Sequence, residues 1–201
     1  MWAPRKMDLA RLREVKGLED LHNRACTQVS PHVHPNLTHL SEVMEPAIEQ
    51  VSEKVFNAVG FDVANATFVI GRDGVVVIDA MLSVENMAAA LLAFREICDY
   101  PVTGLVYTHS HDDHWGGSPA LATAAQAASG EVPVIAQRQL MAEIARINGY
   151  NQPIMGARAA YQFGQYLDCS PQGRVNVGAG PRRRLCRGAA EALAARCASA
   201  R

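Results

Sequence analysis

Lysine is nearly absent from this chain. It occurs only at Lys6, Lys16 and Lys54, arginine is plentiful, and the 201 residues carry a formal net charge of −1. That balance gives no electrostatic case for a nucleic-acid partner or for adhesion to an anionic membrane surface. Paired cysteines are also missing. Cys26, Cys98, Cys169, Cys186 and Cys197 form an odd set without a C-x-x-C. This argues against a cysteine-built metal site and fits reduced thiols in a reducing compartment. No apolar run reaches the length that spans a bilayer. The opening Met1-Trp2-Ala3-Pro4-Arg5-Lys6 leads into mixed charged sequence with no apolar h-region. No secretory signal is therefore expected, and the cytoplasm is the expected compartment, with the periplasm or the exterior as alternatives. What the chain does have is 49% hydrophobic residues, enough for one domain with a core of its own.

The chemistry is concentrated in Thr108-His109-Ser110-His111-Asp112-Asp113-His114-Trp115-Gly116-Gly117, directly after the apolar run Val102 to Tyr107. A strand over that run would deliver the loop to the edge of a sheet. Imidazole and carboxylate are the ligands of divalent metals, zinc above all. In extended backbone His109 and His111 point to the same side, which suits one ion. Asp113 and His114 follow a turn and can face a second ion. Paired ions of this kind clamp a substrate oxygen and lower the pKa of bound water. Gly116 and Gly117 let the backbone turn away without a Cβ clash. The bland alternative is a polar surface loop; four donors at these offsets after a buried-strand pattern favour metal.

The rest of the chain reads as alternating strands and helices. Residues 1–50 are polar and irregular, with a short helix expected over Met7 to Leu21. His32 and His34 lie between prolines without a carboxylate nearby, and with His22 and His39 they read as surface residues. Strands are expected at Lys54–Val59, Ala66–Gly71 and Gly74–Asp79, the last two joined by a hairpin with Asp73-Gly74 as turn signal. The continuous apolar run Val75 to Ile78 predicts a strand buried on both faces. Asp79 closes it, as a cap for the next helix or as a brace for the metal loop. Ser83 caps a helix from Val84 to about Ile97, and the following strand completes a β-α-β unit with a parallel pair. Helices over Ser118–Ser129, Gln137–Ile147 and Ile154–Tyr166, and a strand over Val132–Ala136, complete the reading. Arg158 and Tyr161 fall on the last helix, as residues of the site mouth or, preferably, as ordinary helix surface and core.

H-x-H-x-D-H after a strand resembles the signature of the metallo-β-lactamase fold. Three further stretches resemble its alkyl sulfatase branch: Gly60 to Gly71 with Gly74 to Asp79, Met155 to Gly164, and Pro171-Gln172-Gly173. The resemblance covers about residues 35 to 180. It implies an α/β fold, an αββα sandwich of which this chain holds the first half. It implies two zinc ions, with His109 and His111 on the first, Asp113 and His114 on the second, and a shared water as the activated oxygen. Asp79 would brace the loop from behind the ligands, and Asp112, not a ligand in the pattern, would be a candidate proton relay. The implied reaction is hydrolysis of long-chain alkyl sulfates to alcohol and inorganic sulfate. Members of the family dimerise, through a region not found here.

The expected layout is an N-terminal extension over 1–50, the half-domain over 51–180 and an atypical Arg/Ala-rich tail over 181–201. That tail matches nothing in the pattern and reads either as an out-of-frame product of a GC-rich gene or as an alanine-rich helix. The implied second half would supply two glutamates and another histidine, yet no histidine follows His114. Each ion would then keep about two protein ligands, where catalytic zinc usually has three. Two alternatives stay open: another hydrolase of the same fold, such as a lactamase or thioesterase, and a truncated remnant without activity.

Overall fold

The structure is a computed structural model that describes residues 46–163, together with Pro35 and Asn36. A single sheet orders the chain. Its strands are β1 (Ala47–Ser52), β2 (Val55–Val59), β3 (Ala66–Ile70), β4 (Val75–Ile78), β5 (Val102–Val106) and β6 (Val134–Ile135), side by side in chain order. β1 to β4 form an antiparallel meander, whereas β4–β5 and β5–β6 are parallel. Between residues 46 and 163 the α-helices are α1 (Val84–Arg95), α2 (Ala124–Ser129), α3 (Leu140–Ile144) and α4 (Gln152–Phe163). No helix among the described residues is long and apolar enough to cross a membrane.

The expected β-α-β unit is β4–α1–β5. Ser83 starts α1 with extended backbone, and its hydroxyl accepts from the Asn86 N–H at 3.1 Å. Glu85 in the first turn and Arg95 in the last complement the helix dipole. Met87, Ala90 and Phe94 recur at helical spacing and are buried with Phe56, Ala58, Ala66, Phe68, Val75, Val77 and Leu105 of the sheet. The Phe94 ring stacks on Phe68 at 4.2 Å and meets Phe56 edge-on at 5.8 Å. Such ring pairs add about 0.5–1.5 kcal/mol beyond their burial.

Several expectations need correction. The sheet begins at Ala47, so a boundary at residue 50 cuts through β1; Glu49 and Gln50 inside the strand hid its pattern. β4 is not buried on both faces: Val75 and Val77 are enclosed, Val76 and Ile78 only partly. Among the described residues one helical layer covers the face of Val75 and Val77, and apolar composition alone does not distinguish one covered face from two. The expected helix over Ser118–Ser129 is a single tight turn at Ser118–Ala120, then α2. Thr123 and Gln126 form a capping box that restarts the helix, and Gly130 ends it in left-handed backbone at φ 78°. β6 shrinks to two residues. The helix expected to stop near Ile147 widens into a π-type turn over Ala145–Tyr150. The Gly71–Gly74 hairpin centres on Arg72 and Asp73, with the Gly71 N–H donating to the Gly74 carbonyl at 2.8 Å. His22, His32, His34 and His39, the helix at Met7–Leu21 and the tail over 181–201 lie outside the described residues.

Phe94 joins α1 to two strands at once. Phe94→Ala should lower unfolding stability by about 3–5 kcal/mol, read from the urea midpoint of the full chain.

Candidate metal centre

The parallel register sets Ile78 beside Val106. The residues that follow each strand are therefore neighbours, and the Asp79 N–H donates to the Val106 carbonyl at 2.8 Å. Asp79 adopts left-handed backbone, φ 59°, and is 8% exposed. Its carboxylate is fully engaged. Oδ1 accepts from the Thr108 N–H at 2.8 Å, and Oδ2 accepts from the Thr108 hydroxyl at 2.7 Å. His114 Nδ1 lies 2.7 Å from the same Oδ2.

Counting protons assigns the imidazole Nδ1 atoms as donors. An ionised carboxylate only accepts, so His114 carries a proton on Nδ1 toward Asp79, and its Nε2 faces Asp113. The Thr108 hydroxyl has given its one proton to Asp79. His109 Nδ1, 3.0 Å from that hydroxyl, must then be the donor. One buried carboxylate thus orients the rings of two histidines, one directly and one through Thr108. An outer carboxylate that orients an imidazole is the usual support of a metal-ligating histidine.

The loop brings its donors together. The His109 ring lies 4.0 Å from that of His114 and 4.6 Å from that of His111. His114 Nε2 is 3.5 Å from Asp113 Oδ2. Asp112 begins the one-turn helix Asp112–His114 with its side chain exposed, and its carbonyl accepts from the Gly116 N–H at 2.8 Å. Partial burial, then the His114 and His111 rings, push the His109 imidazole below the ordinary histidine value, against an opposite pull from Asp79 and Asp113. The neutral ring is the form a metal ion takes.

The downstream turn is braced by its own groups. The Trp115 indole N–H donates to the Ser110 carbonyl at 3.1 Å. The Ser118 hydroxyl donates to the Trp115 carbonyl at 2.6 Å, so the Tyr107 hydroxyl, 2.6 Å away, donates to Ser118. Burial pushes the Tyr107 phenol up from its ordinary value. Gly116 and Gly117 are required by close approach. A Cβ on Gly116 would sit 2.2 Å from the Leu82 carbonyl oxygen, and one on Gly117 would sit 2.1 Å from that of Ala80.

The donor types fit a divalent ion, and the bracing fits too, but the arrangement is one of pairs. Among the described residues no three His, Cys, Asp or Glu side chains surround one point as an ion would require. Arg158 and Tyr161 stand on the surface of α4, Tyr161 at 94% exposure, beside an open groove with Pro153 and Ile154. Two residues escaped the sequence reading. Thr108 shows its role only once Asp79 is placed beside it. Asp62, 6% exposed, accepts from the Val63 N–H at 2.7 Å and the Ser83 N–H at 3.0 Å. A carboxylate in an otherwise apolar stretch was the available signal.

The sequence profile of the metallo-beta-lactamase superfamily matches residues 59–179. An alkyl/aryl-sulfatase of Saccharomyces cerevisiae is 33% identical over 132 residues, covering 65% of this chain and 20% of that protein. An (R)-specific secondary-alkylsulfatase of a Pseudomonas species is 32% identical over 148 residues, covering 73% of this chain and 22% of its own. A solved double mutant of the sec-alkyl sulfatase PisA1 superposes with a TM-score of 0.67 at 25% identity, over 90% of this chain and 29% of that one. The chain therefore spans about a fifth of the length of the curated relatives it matches.

Two predictions come from this geometry. Gly117→Ala pushes a methyl group into backbone carbonyls, and should destabilise the chain by about 1–3 kcal/mol, measured by urea unfolding. The second concerns pH. Burial raises the Asp62 carboxyl above its ordinary value. The native state then holds this proton to higher pH than the unfolded chain does. Its contribution to stability is greatest below the ordinary carboxylate range and is lost as pH rises through the raised value. Unfolding midpoints of wild type and Asp62→Asn across that range should show wild type losing ground to the variant as pH rises; a constant difference would contradict the assignment.

Proposed function

The chain belongs to the metallo-beta-lactamase superfamily, and from that premise we propose that it carries the metal-binding loop of a hydrolase that cleaves alkyl sulfate esters to an alcohol and inorganic sulfate. The sulfatase names of its relatives support the substrate class. The observation that carries the reading is the network from Asp79 through Thr108 and His114, which holds two imidazoles of one loop by their Nδ1 atoms.

His109 and His111 would hold one divalent ion, zinc by donor type, and Asp113 and His114 would hold a second. When bound, such ions make hydroxide available near neutral pH and offset the charge that develops on sulfate. The chain's own residues perform the positioning. Asp79 keeps the His114 proton on Nδ1. Thr108 holds His109 by the same ring atom, so both rings are oriented before an ion arrives. Asp112, exposed at the start of the same turn, would be the proton relay.

A second reading is favoured by the paired disposition of the donors among the described residues. In that reading the chain takes up metal without turning over a sulfate ester alone. One experiment separates the two. The purified chain is equilibrated with zinc, its metal content is measured, and sulfate release from dodecyl sulfate is followed. Bound zinc with sulfate release supports the hydrolase, and bound zinc without release selects the second reading. Asp79→Ala should weaken zinc binding by about 10–100-fold, as loss of an outer carboxylate typically does. Sulfate release that persists in a chain carrying both His109→Ala and His111→Ala would overturn the metal reading.

A further inference from the structure

Asp62 lies in the connection between β2 and β3, far along the chain from the metal loop. No Lys, Arg or His side chain pairs with its buried carboxylate among the described residues. It accepts from the backbone N–H groups of Val63 and Ser83, and the Asn86 and Ser83 side chains hydrogen-bond to it as well. Ser83 is the last residue of a short backbone segment, 80–83, that does more than lead into α1. The Ala80 N–H donates to the His114 carbonyl at 2.8 Å, and the Met81 carbonyl accepts from the Gly117 N–H at 3.1 Å. The carbonyls of Ala80, Leu82 and Ser83 lie so close to Gly116 and Gly117 that no side chain fits between them. The turn that follows the metal loop rests on this platform.

The platform is anchored at both ends. Upstream it is fixed by Asp79, whose carboxylate grips Thr108 and His114. Downstream, its last N–H is fixed by Asp62. Met81, within it, is buried and holds left-handed backbone at φ 57°, a conformation that side chains other than glycine adopt only under constraint. Releasing one end lets such a segment relax.

We propose that Asp62 is a positioning residue for the metal loop: by holding the Ser83 N–H it fixes the 80–83 platform, and through Gly116 and Gly117 it fixes where His114 stands. The proposal rests on the metal reading above for its functional consequence, but not for its structural one. A carboxylate that merely capped α1 would act on Asn86 and Met87, in the first turn of the helix, and no further.

The test uses the full chain with Asp62→Ala and the milder Asp62→Asn, and two readouts. The first is amide hydrogen exchange without metal. The Ala80 and Gly117 amides should exchange about tenfold faster in Asp62→Ala, reflecting local opening, while the Leu105 and Val75 amides in the sheet stay as in wild type. The second is zinc affinity, measured by competition with a chromophoric chelator at a temperature where both proteins are folded. It should fall about tenfold, the low end of the effect of an outer support, and recover in part in Asp62→Asn. Phe94→Leu, a core change away from the loop, serves as control and should lower stability without moving zinc affinity. If only the Asn86 and Met87 amides quicken, Asp62 is a helix cap and the proposal is overturned. If wild type takes no zinc but Ala80 and Gly117 still quicken, the metal reading fails and the positioning role stands. Should Asp62→Ala not fold, Asp62→Asn carries the same comparison.

Discussion

Everything near the metal loop depends on one buried carboxylate, that of Asp79. Burying an ion away from water is unfavourable by several kcal/mol unless hydrogen bonds replace its hydration. Asp79 meets that condition through the Thr108 N–H, the Thr108 hydroxyl and the His114 ring. The same contacts that make its burial tolerable therefore orient the donors. Removing the carboxylate would leave a Thr108 N–H and an imidazole N–H without their acceptor, inside the structure that Asp79 now organises. The position follows from topology. β4 and β5 run parallel, so both strands deliver their C-terminal ends to the same edge of the sheet, where open α/β folds gather binding groups.

The backbone around Asp79 is held under constraint. Asp79 and Met81, both left-handed at φ 59° and 57°, sit two residues apart. Such positions cost on the order of 1–3 kcal/mol each and persist only where surrounding contacts over-determine them. Here the surroundings are the bonds from Ala80 to His114, from Gly117 to Met81 and from Asp79 to Val106. An aspartate tolerates this backbone better than most residues, because its short polar side chain can bond locally. Met81 has no such compensation of its own, and its side chain is buried in the core instead. The strain and the tight glycine contacts describe one object: two chain segments pressed together closely enough to set the direction of an imidazole.

Much of this was legible in the sequence, and the rest was not for identifiable reasons. The β-α-β unit could be read because Ser83, the Val84 to Arg95 stretch and Pro101 each carry a local signal. β1 was not legible, because its burial comes from pairing with β2 and not from alternation within Ala47–Ser52. The exposure of one face of β4 was hidden because an apolar strand looks alike whether one layer or two cover it. At the site, the spacing of His109, His111, Asp113 and His114 revealed the donor types. It could not reveal tautomers, which depend on Asp79 and Thr108 meeting across the sheet. The glycines were read as turn formers, whereas their requirement comes from carbonyls more than thirty residues upstream. Asp62 offered only the signal of a carboxylate in an apolar stretch, since its acceptor role toward Ser83 exists only in the folded chain.

This division between local and long-range information has a consequence for how metal binding and folding are linked. The donors lie within six residues, 109–114, so the unfolded chain also presents them to an ion at short range. What the unfolded chain lacks is Asp79. Without it each imidazole samples both tautomers and all ring orientations, and binding must supply the ordering. In the native state that ordering is already present for His109 and His114. An ion bound there would stabilise the fold only by the difference between these two affinities, because binding to the unfolded state subtracts from the gain. The Asp79–Thr108 pair sets the size of that difference. It would make metal uptake a property of the folded β4–α1–β5 unit and not of the sequence motif alone, with the histidine cluster set at the end of a parallel strand pair.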